Sequence, residues 1–135
     1  GCSQFKKLPS FIKTRQENAK YYLEAFSDLS TYFILPDIPA KAEPSWFGFP
    51  ITVRKDVDKL KFVEFLENAK IETRQVFGGN ILKQPGFRDI THRVSGNLVG
   101  TNTIMERTIF FGVYPGITPE MREYVADKVR SFFKN

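Results

Sequence analysis

Between Ile71 and Pro85 the sequence reads IETRQVFGGNILKQP, and this stretch holds the residue types best suited to chemistry. Arg74 carries a planar, five-donor guanidinium suited to a two-point grip on phosphate or carboxylate. Gly78 and Gly79 allow backbone N–H groups to approach an anion with no Cβ in the way. Asn80 and Gln84 add directional donors and acceptors for hydroxyls. Alternation along a strand from Ile71 to Phe77 puts Arg74 on the opposite face from Phe77. Together these residues describe a grip on a phosphorylated, hydroxyl-rich ligand; the alternative is a turn with incidental charges.

Other candidates carry less. His92 is the sole histidine and has neither a cysteine nor an acid pair beside it, so an exposed or hydrogen-bonded side chain is expected rather than a base or metal ligand. Cys2, the sole cysteine, excludes an internal disulfide framework and a multi-cysteine metal site within this chain. No Gly-x-Gly-x-x-Gly follows a strand and no phosphate-loop signature occurs, so no self-contained nucleotide site is encoded. No residue is assigned a catalytic, cofactor-binding or metal-ligating role. Trp46 and Phe47, beside Gly48, are expected to pack in the core, with a place in a pocket wall as the alternative.

The totals set the frame. At 135 residues the chain is read as one domain, large enough to bury a core. Fourteen Phe, five Tyr and one Trp imply a core built from rings, or ring-lined surfaces awaiting partners. Net charge is +5, and its excess is local: from Arg74 to Thr103 the cations Arg74, Lys83, Arg88 and Arg93 face Asp89 alone. That favours local anion binding over a nucleic-acid-coating surface. The rings also lack the exposed, interleaved pattern of a stacking platform for RNA or DNA. No apolar run approaches the roughly 20 residues that span a bilayer. A soluble, cytoplasmic protein without membrane or nucleic-acid partners is expected.

The elements that must position these residues follow from periodicity. Residues 10 to 29 read as an amphipathic helix on Ile12, Ala19, Leu23 and Phe26, with Pro9 in its first turn. Gly1 to Leu8 is a separate helical piece or a kinked extension, and a start GCSQFKKL looks cut from something longer. Strands are expected at Tyr32–Leu35, at Trp46–Val53 (an edge or a bulge near Pro50), at Ile71–Phe77 and at Thr108–Tyr114. Asp58 caps a second helix with Leu60, Phe62, Val63, Phe65 and Leu66 on its apolar face. Thr118-Pro119-Glu120 starts a last helix with Met121, Val125, Val129 and Phe132 as its buried stripe. Residues 78–102 read as a long loop on the substrate side, of a length that tends to be functional. The fold class is α+β: a small, mostly antiparallel sheet of about four strands with helices on one face.

Four segments, EPSWFGFPITV, IETRQVFGGNILKQP, HRVSGNLVGTNTIMERT and FFGVYPGITPEM, in this order and spacing, resemble the C-terminal portion of the DegT/DnrJ/EryC1/StrS aminotransferase family. The likeness covers essentially the whole chain and is to the family's sugar-nucleotide dehydratase branch. It implies that 1–135 is the C-terminal small domain of a type I pyridoxal-phosphate-dependent enzyme about three times as long, beyond one domain's usual size. The implied reaction is C3 deoxygenation of a CDP-4-keto-6-deoxyhexose in lipopolysaccharide O-antigen dideoxysugar synthesis, with pyridoxamine or pyridoxal phosphate as cofactor. It further implies a 2Fe–2S cluster held by cysteines ahead of this chain, a histidine base in the missing N-terminal cofactor domain, and a homodimer. The family pattern Thr-Arg-x-x-Phe-x-Gly-Asn-x-x-x-Gln-Pro assigns Arg74, Asn80 and Gln84 to the nucleotide sugar, while His92 and Cys2 lie outside the matching motifs. The fragment alone is expected to be inactive and to bind no cofactor. Its 78–102 loop, expected to pack on the missing domain or a partner subunit, should be its least ordered part. Related aminotransferases tend to show Tyr-Pro and a histidine where this chain has Phe77 to Asn80, which favours a dehydratase over a sugar aminotransferase.

Overall fold

A computed structural model describes residues 1–134. Four antiparallel strands form one sheet in the order β1-β2-β4-β3. They are β1 (Phe33–Ile34), β2 (Gly48–Val53), β3 (Thr73–Gln75) and β4 (Thr108–Gly112). The helices are α1 (Cys2–Phe5), α2 (Leu8–Ala25), α3 (Lys59–Asn68), α4 (Val99–Arg107) and α5 (Pro119–Lys134). The expected α+β class and strand number hold. Pro9 lies in the first turn of α2, and α1 is the separate piece.

Strand alternation divides the sheet into two unlike faces. Phe49, Ile51 and Val53 of β2 and Ile109 and Phe111 of β4 are buried with residues of α2, α3 and α5 in one core. Tyr22 of α2 is fully buried at its centre. Its ring stacks on Phe26 at 5.7 Å, and meets Phe111 edge-on at 5.0 Å. Arg130 closes the layer, its fork donating to both carboxylate oxygens of Asp28 at 2.8 and 2.9 Å and so tying α5 to the 3₁₀ turn Ser27–Leu29 that follows α2. The other face carries Pro50, Phe110 and Arg74, which lie opposite one another in register.

Several boundaries differ from those the sequence suggests. Strand β2 is interior, not an edge; Pro50 is tolerated because β1 pairs only with Thr52 and Val53, leaving β2 without a β1 neighbour at the proline. Asp58 caps α3 as expected, its Oδ1 accepting from the N–H groups of Leu60 and Lys61. Leu60, however, is exposed, and so is Met121, which the stripe of α5 was expected to bury. The third strand stops at Gln75, because Phe77 takes a left-handed φ of 47°. Residues 78–102 are not one loop: short 3₁₀ turns span Ile81–Lys83 and Pro85–Phe87, and α4 begins at Val99 and runs directly into β4.

The Tyr22 hydroxyl is buried with no hydrogen-bond partner, and burial pushes the phenol above its ordinary pKa. An unsatisfied buried hydroxyl costs about 1–3 kcal/mol. Tyr22→Phe should therefore leave the urea-unfolding midpoint unchanged or raise it, whereas a clear fall would show that the hydroxyl is satisfied.

Candidate functional site

Strand β3 pairs along its length with β4, and one carboxylate ties its first residue to α3 as well. Glu67, near the end of α3, accepts hydrogen bonds on Oε1 from the Thr73 backbone N–H at 2.6 Å and the Thr73 hydroxyl at 2.7 Å. This holds the first residue of β3 against the helix, so that the next, Arg74, projects from the open sheet face opposite Phe110. The guanidinium is exposed and pairs with Glu72. An exposed pair of this kind contributes little and exchanges readily for a better anion.

After Arg74 the chain bends tightly. Gly79 sits at φ 60°, and a Cβ there would fall 2.6 Å from the side chain of Met105 in α4, so glycine is required both by dihedral and by space. Asn80 is 5% exposed. Its Nδ2 donates to Asn102 Oδ1 at 2.8 Å and its Oδ1 accepts from the Leu82 N–H at 3.0 Å, which caps the following turn. Gln84 Nε2 donates back to the Gly78 carbonyl at 2.7 Å. Lys83 reaches Glu106 at 2.7 Å, and that hydrogen bond holds the Glu106 carboxyl below its ordinary pKa. Lys59 bridges the two sides, donating to Gln75 Oε1 and the Met105 carbonyl, both at 3.0 Å; burial lowers its pKa, with Glu106 acting in the opposite sense.

The three residues the sequence assigns to the ligand are therefore not brought to one point. Arg74 borders a wide groove, Gln84 borders a smaller hollow of about 280 Å³ behind Gly78 and Gly79, and Asn80 is buried between them as a brace. Asn102 and Glu67, which brace the same region, carry no signal in the sequence: the first sits among poor helix formers, and the second is one of two acids on α3. His92 is exposed, with Nδ1 against the Ile90 carbonyl at 2.6 Å. Cys2 is exposed.

The groove beside Arg74 is the larger cavity, about 760 Å³, between the open sheet face and the start of α5. Phe47, Phe110, Tyr114 and Tyr124 wall it, with Arg15 and Lys70 at its margins. Phe47 is 73% exposed rather than in the core, while Trp46 packs against the core. Arg15 fixes this corner by donating to the Trp46 and Phe47 carbonyls at 2.8 and 3.3 Å. A ring-lined, half-open groove with a few charged groups has the make-up of a ligand site.

The model of the DegT/DnrJ/EryC1/StrS aminotransferase family matches residues 1–130. The chain belongs to this family. It is 38% identical over 135 residues to the lipopolysaccharide biosynthesis protein RfbH of Salmonella typhimurium, covering 98% of this chain and 31% of that protein. It is 37% identical over 132 residues to dTDP-4-dehydro-2,6-dideoxy-D-glucose 3-dehydratase of Saccharopolyspora spinosa, covering 96% of this chain and 28% of that one. Among solved structures, the E. coli GDP-4-keto-6-deoxy-D-mannose-3-dehydratase with bound hydrated PLP superposes with a TM-score of 0.84 at 30% identity, over 95% of this chain and 33% of that one. This family member thus spans about a third of the length of the curated relatives it matches.

The donor set here does not fit the 2Fe–2S cluster that the resemblance implies. An iron–sulfur cluster takes four thiolates, and the sequence has Cys2 alone. Among the described residues no group of three or more His, Cys, Asp or Glu is placed to hold a metal ion. Lys59, half-buried, has its ammonium engaged by Gln75 and Met105 and is not a free amine for a carbonyl. No helix among the described residues is long and apolar enough to cross a membrane.

The Glu67 carboxyl is held below its ordinary pKa, first by the Thr73 hydroxyl and then by the Thr73 N–H. A carboxyl depressed in the folded state stabilises the fold above the unfolded pKa, and that contribution is lost as pH falls through the folded value. Glu67→Gln should lower stability near pH 7 and flatten the acid limb of a thermal-melt series between pH 5 and pH 3; an acid limb identical to that of the parent would refute the anchor.

Proposed function

We propose that this chain is the C-terminal small domain of a pyridoxamine-phosphate-dependent sugar-nucleotide 3-dehydratase, and that it forms the wall of the cleft against which the nucleotide sugar is held. The observation that carries the reading is the identity of 37% to a sugar-nucleotide 3-dehydratase over 96% of the chain, which takes in the Arg74 strand and the bend after it. The pathway served is lipopolysaccharide O-antigen dideoxysugar synthesis, in keeping with the name of the Salmonella relative. The cofactor, which supplies the electron sink for loss of the C3 hydroxyl when bound, and any 2Fe–2S cluster are held by parts of the protein outside this chain.

In this reading Arg74 contacts the substrate's diphosphate. Its guanidinium leaves Glu72 for a two-point grip on phosphate oxygens, exchanging a weak exposed pair for a charge-assisted one in a partly closed cleft. Asn80 and Gln84 contribute by fixing the bend: Asn80 through its buried amide, Gln84 through Gly78 with its Oε1 left to face a sugar hydroxyl. Protein residues thus orient the sugar while the chemistry proceeds on the cofactor side. The exposed apolar side chains of the following segment, among them Phe77, Ile81, Phe87, Ile90 and Val94, pack on the cofactor domain or on a second subunit of a homodimer.

In the full-length enzyme Arg74→Met should raise the dissociation constant for the nucleotide sugar about tenfold or more, the scale of a lost charge-assisted hydrogen-bond pair. Isothermal titration with the CDP-4-keto-6-deoxyhexose checks this. Unchanged affinity would remove Arg74 from the site, and an intact enzyme that transaminates the sugar at C4 without removing the C3 hydroxyl would replace the dehydratase reading.

A further inference from the structure

The chain leaves the sheet at the end of β3 and re-enters it at the start of β4, and these two points are neighbours, since Gln75 pairs with Ile109. Residues 76–107 are thus an excursion with a narrow neck. Of the described residues from Val76 to Arg107, Asn80 alone is buried, so the excursion has no apolar core of its own. Its ties are mostly internal. The Gly79–Met105 contact, the Asn80–Asn102 bond and the Lys83–Glu106 pair each join the outgoing arm to α4. They make the bend and α4 one body without fastening that body to the packed layer. Helix α4 rests on β2 and β4, and a side chain of the packed layer also reaches across the neck: Lys59, the first residue of α3.

Lys59 is placed against the interest of its own helix. A cation in the first turn of α3 opposes the helix dipole, whereas the last turn of a helix is where a cation is favourable. The cap of α3 is already supplied by Asp58, so the start of that helix does not call for Lys59. The ammonium is directed instead to the last turn of α4. It donates at 3.0 Å to the Met105 carbonyl, one of the last four of α4, which have no partner within the helix. A second proton goes to Gln75 Oε1, also at 3.0 Å. One point charge therefore holds both the residue from which the chain departs and a residue just short of its return. The side chain is half-buried, and bonds from a charged donor are roughly twice as strong as neutral ones.

We propose that Lys59 is a positioning residue for the substrate wall: its ammonium clasps the neck of the excursion and so fixes where the bend bearing Asn80 and Gln84 stands relative to Arg74 on β3. It touches no substrate and acts through Gln75 and Met105. The consequence for catalysis rests on the nucleotide-sugar reading above, whereas the clasp itself rests on the geometry of the neck.

The test uses the full-length enzyme, with steady-state kinetics on the CDP-4-keto-6-deoxyhexose and hydrogen exchange read by mass spectrometry. Lys59→Met should raise KM about tenfold, the scale of lost bonds to a charged group, and change kcat less than about twofold. Lys59→Arg keeps donors for both acceptors and should bring KM back to within about threefold of the parent. Gln75→Leu should raise KM by itself but add nothing in the Lys59→Met background, because the bond it removes is already gone. In Lys59→Met, peptides covering 78–84 and 99–107 should exchange faster together, while those covering α2 and β2 keep the parent rate. An unchanged KM, additive effects of the two substitutions, or an arginine variant no better than the methionine one would each overturn the proposal. So would faster exchange throughout α2 and β2, the mark of a general loss of stability, or faster exchange in one arm only. A parent enzyme without activity on the sugar would remove the dehydratase reading instead, and the exchange pattern would then decide the clasp by itself.

Discussion

Tyr22 lies fully buried among Phe26, Phe49 and Phe111, and this cluster of rings decides what the rest of the molecule can do. Aromatic side chains fill the space between one sheet face and α2, α3 and α5, so the buried side chains of all three helices lie on that side. Four strands are too few to wrap around, and the second face keeps its own rings at the surface. Phe110 is next to Phe111 in β4, yet the first is half-buried on the open face and the second is buried in the core. The division follows from the two-residue repeat of a strand.

The open face is usable because its groups are fixed from behind. Glu67 places β3, the Gly79–Met105 contact and the Asn80–Asn102 bond place the bend, and Arg15 places Phe47. None of these braces touches the groove's centre. Each links an element of the packed layer or α4 to a side chain or backbone group near Arg74, so the stability of the core is transmitted to the geometry of the site. Glycine contributes by absence: at positions 48, 79 and 116 a Cβ would collide with a neighbouring side chain, and at each the neighbour is thereby seated in one place.

Much of this was legible in the sequence. Asp58 and Thr118 mark helix starts through side-chain oxygens followed by helical spacing, and both hold: Thr118 Oγ1 accepts from the Met121 N–H at 3.3 Å. The strands announced themselves by branched and aromatic runs. What failed did so for physical reasons. Alternation through Phe77 was broken by a left-handed residue that local pattern does not reveal. Helix α4 was hidden by Gly100, Thr101, Asn102 and Thr103, poor helix formers held by contact with β2 and β4. The bonds that join the amides of Asn80 and Gln84 to Asn102, Leu82 and Gly78 are a separate matter, contacts that only the folded chain discloses. Phe47 is a ring assigned to the core by type that the turn before β2 leaves outside.

A domain whose packed face positions an open, ring-and-guanidinium face suits a partner domain that carries the cofactor, each contributing one side of a cleft. The measurement that tests this most directly is a crystal structure of the full-length enzyme with CDP. The account predicts a phosphate oxygen about 3 Å from the Arg74 guanidinium, with Glu72 released. A nucleotide bound elsewhere, with Arg74 still on Glu72, would contradict it.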